Sequence, residues 1–262
     1  MNDRKRLLLI LVLILCYIAG LATRQTLAQD YMAKGRDLET RSLYGPAIAE
    51  YRRAIKETPE NAAEAHYRIG VLTNKLGNTD GAAQEFRATL QLDPNHTEAR
   101  QALVAFYVNR GVTARQQQKL ANAIQELQEA ITIDPNAATA HLELGQAYED
   151  NGQLTEAVGE YQASVNADPS SITAQLHLGK GYNAQKQYAQ AISAFQVVVE
   201  KNPDYAEAYE GLGIAYFHQG QKEEAQKAFN LAMRKHLIAG RRDLAVQVKQ
   251  EADALLRTTS TP

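Results

Sequence analysis

Tryptophan is absent from this 262-residue chain, and cysteine occurs once, as Cys16. A single thiol excludes an internal disulfide. Proline (7) and glycine (16) are few; with 45% hydrophobic and 22% charged residues, that excludes a largely disordered chain. Neither sign of charge dominates. There are 28 Lys and Arg against 30 Asp and Glu, a formal net charge of -2, so the basic footprint of a nucleic-acid binder is missing.

One long hydrophobic run exists. Arg4, Lys5 and Arg6 precede an apolar stretch from Leu7 to Leu21, and Arg24 follows it. A basic segment before an apolar run of this length reads as a secretory signal. The run is short of the roughly 20 residues that a membrane span needs. Gly20-Leu21-Ala22 and Thr26-Leu27-Ala28 offer small-residue cleavage sites, and cleavage after Ala28 removes the whole atypical segment, residues 1–28. The alternative is an uncleaved anchor, with Arg24 at the far interface. Either way Arg4, Lys5 and Arg6 stay inside and the remainder lies outside the cytoplasm. The expectation is an exported protein, periplasmic or in the cell envelope, or a single-pass N-terminal membrane anchor; the membrane enters only through this segment. Cys16 sits in the run behind Leu15, too bulky for the residue before a lipid-bearing cysteine, and reads as apolar filler. Removing 1–28 leaves a chain without cysteine and with a net charge near -5, which disfavours anionic partners.

The prolines are few but regularly placed. Pro59, Pro94, Pro135, Pro169 and Pro203 are spaced by 35, 41, 34 and 34 residues, each at the end of a helical pattern. Proline lacks the N–H a helix needs and pushes the preceding residue out of the helical region, so it acts here as a periodic helix stop. Between stops, two amphipathic helices fit. In 138–171, Leu144, Gly145, Tyr148 and Gly152 mark the first helix and its turn, and Ala157, Tyr161 and Pro169 mark the second. The same spacing returns as Leu178, Gly179, Tyr182, Ala191, Phe195 and Pro203 in 172–205. It recurs as Leu212, Gly213, Tyr216, Gly220, Ala225 and Phe229 in 206–239, and as Ile69, Gly70, Gly77, Ala82, Phe86 and Pro94 in 63–96. Glycine and alanine let two helix backbones approach; the large apolar residues fill the space to the next pair. No pair buries its apolar face alone, so neighbours must stack.

Position for position, this pattern resembles the tetratricopeptide-repeat (TPR) family over about residues 28–239. The resemblance implies an all-α fold, a right-handed superhelical α-solenoid of stacked antiparallel helix pairs. The domain plan is a solenoid over 29–257, with repeats at about 28–61, 63–96, 97–137, 138–171, 172–205 and 206–239, then a polar tail at 258–262. The first unit departs from the pattern at Lys34 and Leu38. The third carries Leu103, Tyr107, Gly111, Ala123, Leu127, Ala130 and Pro135, with seven extra residues placed at 112–118. Seven residues are close to two turns of about 3.6, so either both helices are one turn longer or the first is much longer. After Gly240, residues 241–257 form a capping helix with Leu244, Val248, Ala252 and Leu255 on one face.

Catalytic and metal constellations are not apparent. Gly179-Lys180-Gly181 and Gly211-Leu212-Gly213 resemble pieces of a phosphate loop but lack a third glycine and a preceding strand, and the helix-packing position explains Gly179 and Gly213. The histidines show no His-Glu-x-x-His spacing; His66 and His141 read as packed side chains. The expectation is no enzyme, no cofactor, no metal, no nucleic acid and no small-molecule substrate. Asn95-His96-Thr97 matches a glycosylation sequon, a pattern short enough to arise by chance.

In the TPR family, the first helices of successive repeats line a concave groove that receives a partner's extended peptide or helix. The resemblance places Arg36, Tyr67, Arg68, Asn74, Lys75, Asn109, Gln146, Glu149, His177, Lys180, Asn183 and Phe217 in that groove, with Glu143, Asp150, Glu210 and His218 beside them. Asn and Gln can hydrogen-bond an extended backbone, and Tyr67 and Phe217 can anchor side chains. Arg36, Arg68 and Lys75 would make the early repeats basic, and Glu143, Glu149 and Asp150 the fourth acidic. The carboxylate-clamp members, which bind cytosolic heat-shock chaperones, are excluded: Met32, Arg36, Tyr67 and Val71 stand at the clamp positions. The functional expectation is an exported protein-binding scaffold in the assembly of an envelope complex; the alternative is a self-assembling structural solenoid.

Overall fold

The computed structural model describes residues 3–257, with side chains from residue 10 onward. The tail at 258–262 lies outside the described residues. Thirteen α-helices and no strand are found among the described residues. They are α1 (Asp3–Thr40), α2 (Tyr44–Glu57), α3 (Ala63–Lys75), α4 (Thr79–Leu92), α5 (Thr97–Gln116), α6 (Leu120–Ile133), α7 (Ala138–Asp150), α8 (Leu154–Ala167), α9 (Ile172–Ala184), α10 (Tyr188–Lys201), α11 (Ala206–His218), α12 (Lys222–Ile238) and α13 (Arg242–Arg257). Two compact units are distinguished, and the division falls within α5, between Phe106 and Tyr107.

Each pair is closed by the packing that the glycines permit. Gly35 abuts the Tyr51 ring, Gly70 Phe86, Gly111 Leu127, Gly145 Tyr161, Gly179 Phe195 and Gly213 Phe229, always the residue sixteen positions later on the second helix. A methyl group at any of these glycines would lie within 2.7 Å of the facing side chain. The rings fill the space so gained: Tyr51, Tyr161, Phe195 and Phe229 are at most 1% exposed. Burying one such side chain stabilises by about 1.5–3 kcal/mol. In unit 1 the core joins Ala47, Tyr51, Ala65, Ile69 and Leu72. In unit 2 one cluster holds Ala157, Tyr161, Ala174 and Leu178, the next Ala191, Phe195, Val198, Ala208 and Leu212, and the last Ala225, Phe229, Ala232, Val248 and Ala252.

Both connections recur. The turn inside each pair needs one residue with positive φ, and Ser42, Gly77, Gln118, Gly152, Lys186 and Gly220 occupy it. The Gly152 N–H donates to the Glu149 carbonyl at 3.0 Å, and the next N–H reaches the Tyr148 carbonyl at 2.8 Å, which satisfies the last carbonyls of α7. Between pairs, the residue before proline accepts a backbone N–H two positions on. Asp93 does so from Asn95, Asp134 from Asn136, Asp168 from Ser170 and Asn202 from Asp204, at 2.9–3.1 Å. The Pro59 connection is instead a short 3-10 turn, Pro59–Asn61.

One alternative is decided and two placements are corrected. The longer helix of the third unit is α5 alone, with 20 residues where α3, α7, α9 and α11 have 13, while α6 has 14 like α2, α4, α8 and α10. The seven extra residues are not 112–118. Gly111 faces Leu127 as Gly145 faces Tyr161, and Gln118 is the positive-φ turn residue equivalent to Gly152, so the regular register runs through 112–118. The surplus lies before Gly111, toward the start of α5. Two turns keep the helical phase almost unchanged, which is why both registers fit the sequence. In the capping helix the buried stripe is Ala245, Val248 and Ala252; Leu244 is 40% exposed.

The first helix continues without a break from the apolar run into the first repeat. Ile10–Thr40 is long and apolar enough to cross a membrane. Ala28 is buried in this helix beside Met32, Ala54 and Ala65.

Candidate functional site

The first helices of unit 2 are joined side to side by polar residues. Arg115 donates to Gln146 at 2.7 Å, to Glu143 at 3.1 Å and to Asp150 at 3.2 Å, linking the end of α5 to α7. Gln146 reaches on to His177 on α9, with Nε2 atoms 3.4 Å apart. Asn183 on α9 donates to the Gly211 carbonyl on α11 at 2.9 Å. Arg115, Gln146 and His177 follow one another at 31 residues, three short of the 34-residue period, so the ladder steps back about one turn per repeat.

Glu149 is the anchored carboxylate of this face. It accepts the Tyr161 hydroxyl at 2.5 Å, and His177 Nδ1 stands 3.6 Å away. The imidazole first and the hydroxyl after it hold the Glu149 carboxyl below the ordinary glutamate range. Burial, then the Glu149 hydrogen bond, push the Tyr161 hydroxyl up. Unit 1 builds the same trio: Tyr51 donates to Glu39 at 2.9 Å, and Arg68 lies 3.8 Å from that carboxylate. Tyr51 and Glu39 hold the repeat positions of Tyr161 and Glu149; Arg68 holds that of His177.

The structure sorts the expected groove residues. Arg36, Asn74, Lys75, Asn109, Glu149 and Lys180 are exposed, and Gln146, His177 and Asn183 are half-buried in the ladder. Arg68 is drawn to Glu64 at 2.6 Å. Two aromatic anchors are not free. Tyr67 packs against His96 and Phe86, with ring centroids 4.6 and 6.0 Å away. Phe217 packs against the core of α12 and α13.

Part of the expected charge is taken up by neighbours. Glu143 and Asp150 are both paired with Arg115, and Lys75 lies over the Tyr44 ring at 5.3 Å. Arg115 was missed because it sits in the stretch read as an insertion. The sixteen-residue step from Gly111 to Leu127 would have placed it in the series Glu39, Asn74, Arg115, Glu149, Asn183, Phe217.

Two histidines are packed as expected. His66 meets Glu85 at 2.6 Å; His141 meets Glu160 at 2.7 Å and the Pro135 carbonyl at 3.0 Å. The Glu160 hydrogen bond, against burial, raises the His141 pKa. His236, in the core, contacts Glu210. Among the described residues no group of three His, Cys, Asp or Glu is arranged to hold a metal ion. The glycines of the two loop-like fragments are taken up by packing: Gly179 and Gly211 on Phe195, Gly181 on Val158 and Gly213 on Phe229.

Comparison with known proteins agrees with this geometry. Tetratricopeptide-repeat models match residues 32–97, 138–171 and 182–236, and a TPR-repeat model matches 111–152, starting at Gly111. The crystal structure of YrrB, described as a TPR protein with an unusual peptide-binding site, superposes with a TM-score of 0.54 at 20% identity, covering 76% of this chain and 97% of that one. A crystal structure of MamA gives 0.50 at 26% identity, covering 66% and 96%. A 123-residue stretch is 30% identical to the CTR9 homolog of Arabidopsis thaliana, covering 46% of this chain and 10% of that protein. Another, of 119 residues, is 26% identical to the probable UDP-N-acetylglucosamine–peptide N-acetylglucosaminyltransferase SPINDLY of Hordeum vulgare, covering 45% and 12%. The chain thus spans about a tenth of these curated relatives. With repeat matches over well over half its length and helix pairs closed the same way six times, the chain belongs to the tetratricopeptide-repeat family.

Proposed function

We propose that the protein is an exported, non-catalytic scaffold that holds a protein partner on the first-helix face of unit 2 during assembly of a cell-envelope complex. The ligand is an extended peptide or a helix. One observation carries this reading: the ladder is tightly built yet leaves hydrogen-bonding capacity. Arg115 Nε and Asn183 Oδ1 are buried without a hydrogen-bond partner. A buried polar atom left unpaired costs about 1–3 kcal/mol, and a partner whose docking turns these side chains outward supplies a carbonyl for the first and an N–H for the second. Lys180, exposed between them in sequence, adds a cation for a ligand carboxylate.

Export follows from the basic start and apolar run of α1, which serves as a leader removed after Ala28 or as a single anchor. The intact mass of the protein from its native membrane fraction distinguishes the two. For the groove, in-cell crosslinking with mass spectrometry compares wild type with Lys180→Glu combined with Asn183→Ala, helicity being checked by circular dichroism. A discrete partner captured by wild type and lost by the folded variant is the expected result. Capture unchanged by the substitutions refutes the groove as the contact.

A further inference from the structure

Outside α1, the exposed large apolar side chains concentrate at one end of unit 2. Leu231 is 37% exposed, Leu237 54%, Ile238 82%, Leu244 40% and Val246 55%. The others, Leu43, Leu76 and Leu92, stand singly at turns and helix ends. The cause lies in α12, which has 17 residues where the other second helices have 14; its surplus turn carries Leu237 and Ile238. Gly240, at φ 75°, then turns the chain so that α13 starts beside the end of α12. The buried stripe of α13 is Ala245, Val248 and Ala252, so the exposed residues are not the ones that close the repeat array.

Charge follows the same distribution. Lys222–Arg257 carries eight Lys and Arg against five Asp and Glu; Lys235 and Arg241 pair with Asp204 and Glu207 outside it, which leaves six cations against five acids. Arg234 is exposed on the α12 face that carries Leu231 and Ile238, and Arg242 is exposed at the start of α13. Apolar side chains interleaved with exposed arginines are what a segment lying in a lipid headgroup region presents. The chain's own first helix is long and apolar enough to cross a bilayer.

We propose that the α12–α13 tip docks on an anionic lipid surface, Leu237, Ile238 and Leu244 entering the headgroup region and Arg234 and Arg242 pairing with lipid phosphates. This membrane contact is separate from the N-terminal segment. It neither needs nor tests a ligand in the unit 2 groove.

Because the chain has no tryptophan, Ile238→Trp creates a single tryptophan at the tip, excited at 295 nm apart from the 13 tyrosines. The full chain is placed in nanodiscs of phosphatidylcholine, with and without phosphatidylglycerol, and Val246→Trp serves as a second reporter. The expected result is a blue-shifted emission, quenched by brominated lipid chains, in the anionic discs only. Arg234→Glu with Arg242→Glu returns it to the solvent-exposed value. Each arginine contributes about fivefold in affinity for anionic vesicles, from the roughly 1 kcal/mol per cation at such a surface. Solvent-like emission in both discs, or equal shifts in both, overturns the proposal. So does a blue shift in detergent that grows with protein concentration, which would make the tip a contact between copies.

Discussion

Gly179→Ala tests whether the repeated glycines exist to let helices touch. A Cβ at this position would sit 2.7 Å from Cε1 of Phe195 and 2.9 Å from Cδ1 and Cζ. The ring cannot withdraw: Phe195 is fully buried, and Gly211 of the following repeat abuts it so closely that a Cβ there would lie 2.2 Å away. Two effects oppose each other. Alanine in place of a mid-helix glycine gains about 0.5–1 kcal/mol of backbone entropy. Overpacking a close-packed core costs roughly 1–3 kcal/mol. The clash wins, and Gly179→Ala destabilises by roughly 1–2 kcal/mol. Gly159 is the internal control: it lies in α8, is exposed, and a Cβ there meets nothing within 4 Å. Gly159→Ala therefore stabilises by about 0.5–1 kcal/mol. The assay is urea and thermal unfolding followed by ellipticity at 222 nm, about 2–4 °C per kcal/mol for a unit of this size. Combining Gly179→Ala with Phe195→Leu should cost at least about 1 kcal/mol less than the sum of the single changes, since the ring supplies the clash. If Gly179→Ala stabilises as Gly159→Ala does, the packing explanation fails for all six glycines.

Lys186 and Gln118 hold positive φ at 61° and 60° where other repeats use glycine, so Lys186→Gly and Gln118→Gly should each raise stability, by up to about 1 kcal/mol in denaturant titration. Tyr161→Phe removes the hydroxyl bound to Glu149 and should cost about 1 kcal/mol; in an NMR titration the Glu149 carboxyl moves up toward the ordinary value. Because the folded pKa of Glu149 is depressed, its contribution is present above the ordinary value of about 4.3 and is lost as pH falls through the folded one. His141 has the opposite sign. Its raised folded pKa makes the contribution complete below about 6.5 and lost as pH rises through the folded value, and Glu160→Gln should flatten that part of the stability–pH profile.

Much of the fold could be read from residues alone, for a physical reason. A proline stop, a glycine contact and a large apolar residue on the facing helix each act within one helix pair, and six copies of the contact with five of the stop repeat the constraint until chance is excluded. Gly145, Tyr161 and Pro169 thus predicted their own roles without any knowledge of distant residues. Relations between helices of different repeats were settled only in three dimensions. The seven-residue surplus in α5 spans nearly two turns, so the apolar pattern agrees with either register, and only Gly111 against Leu127 decides between them. Arg115 consequently emerged as the residue that pairs with Glu143 and Asp150, and a face that seemed to hold free carboxylates proved partly paired from a neighbouring helix. Likewise Tyr67 and Phe217 have the composition of anchors, yet neighbours from the following repeat and the last helices occupy them. Periodicity specifies which side of its own helix a residue occupies; which neighbour meets it there is decided by stacking.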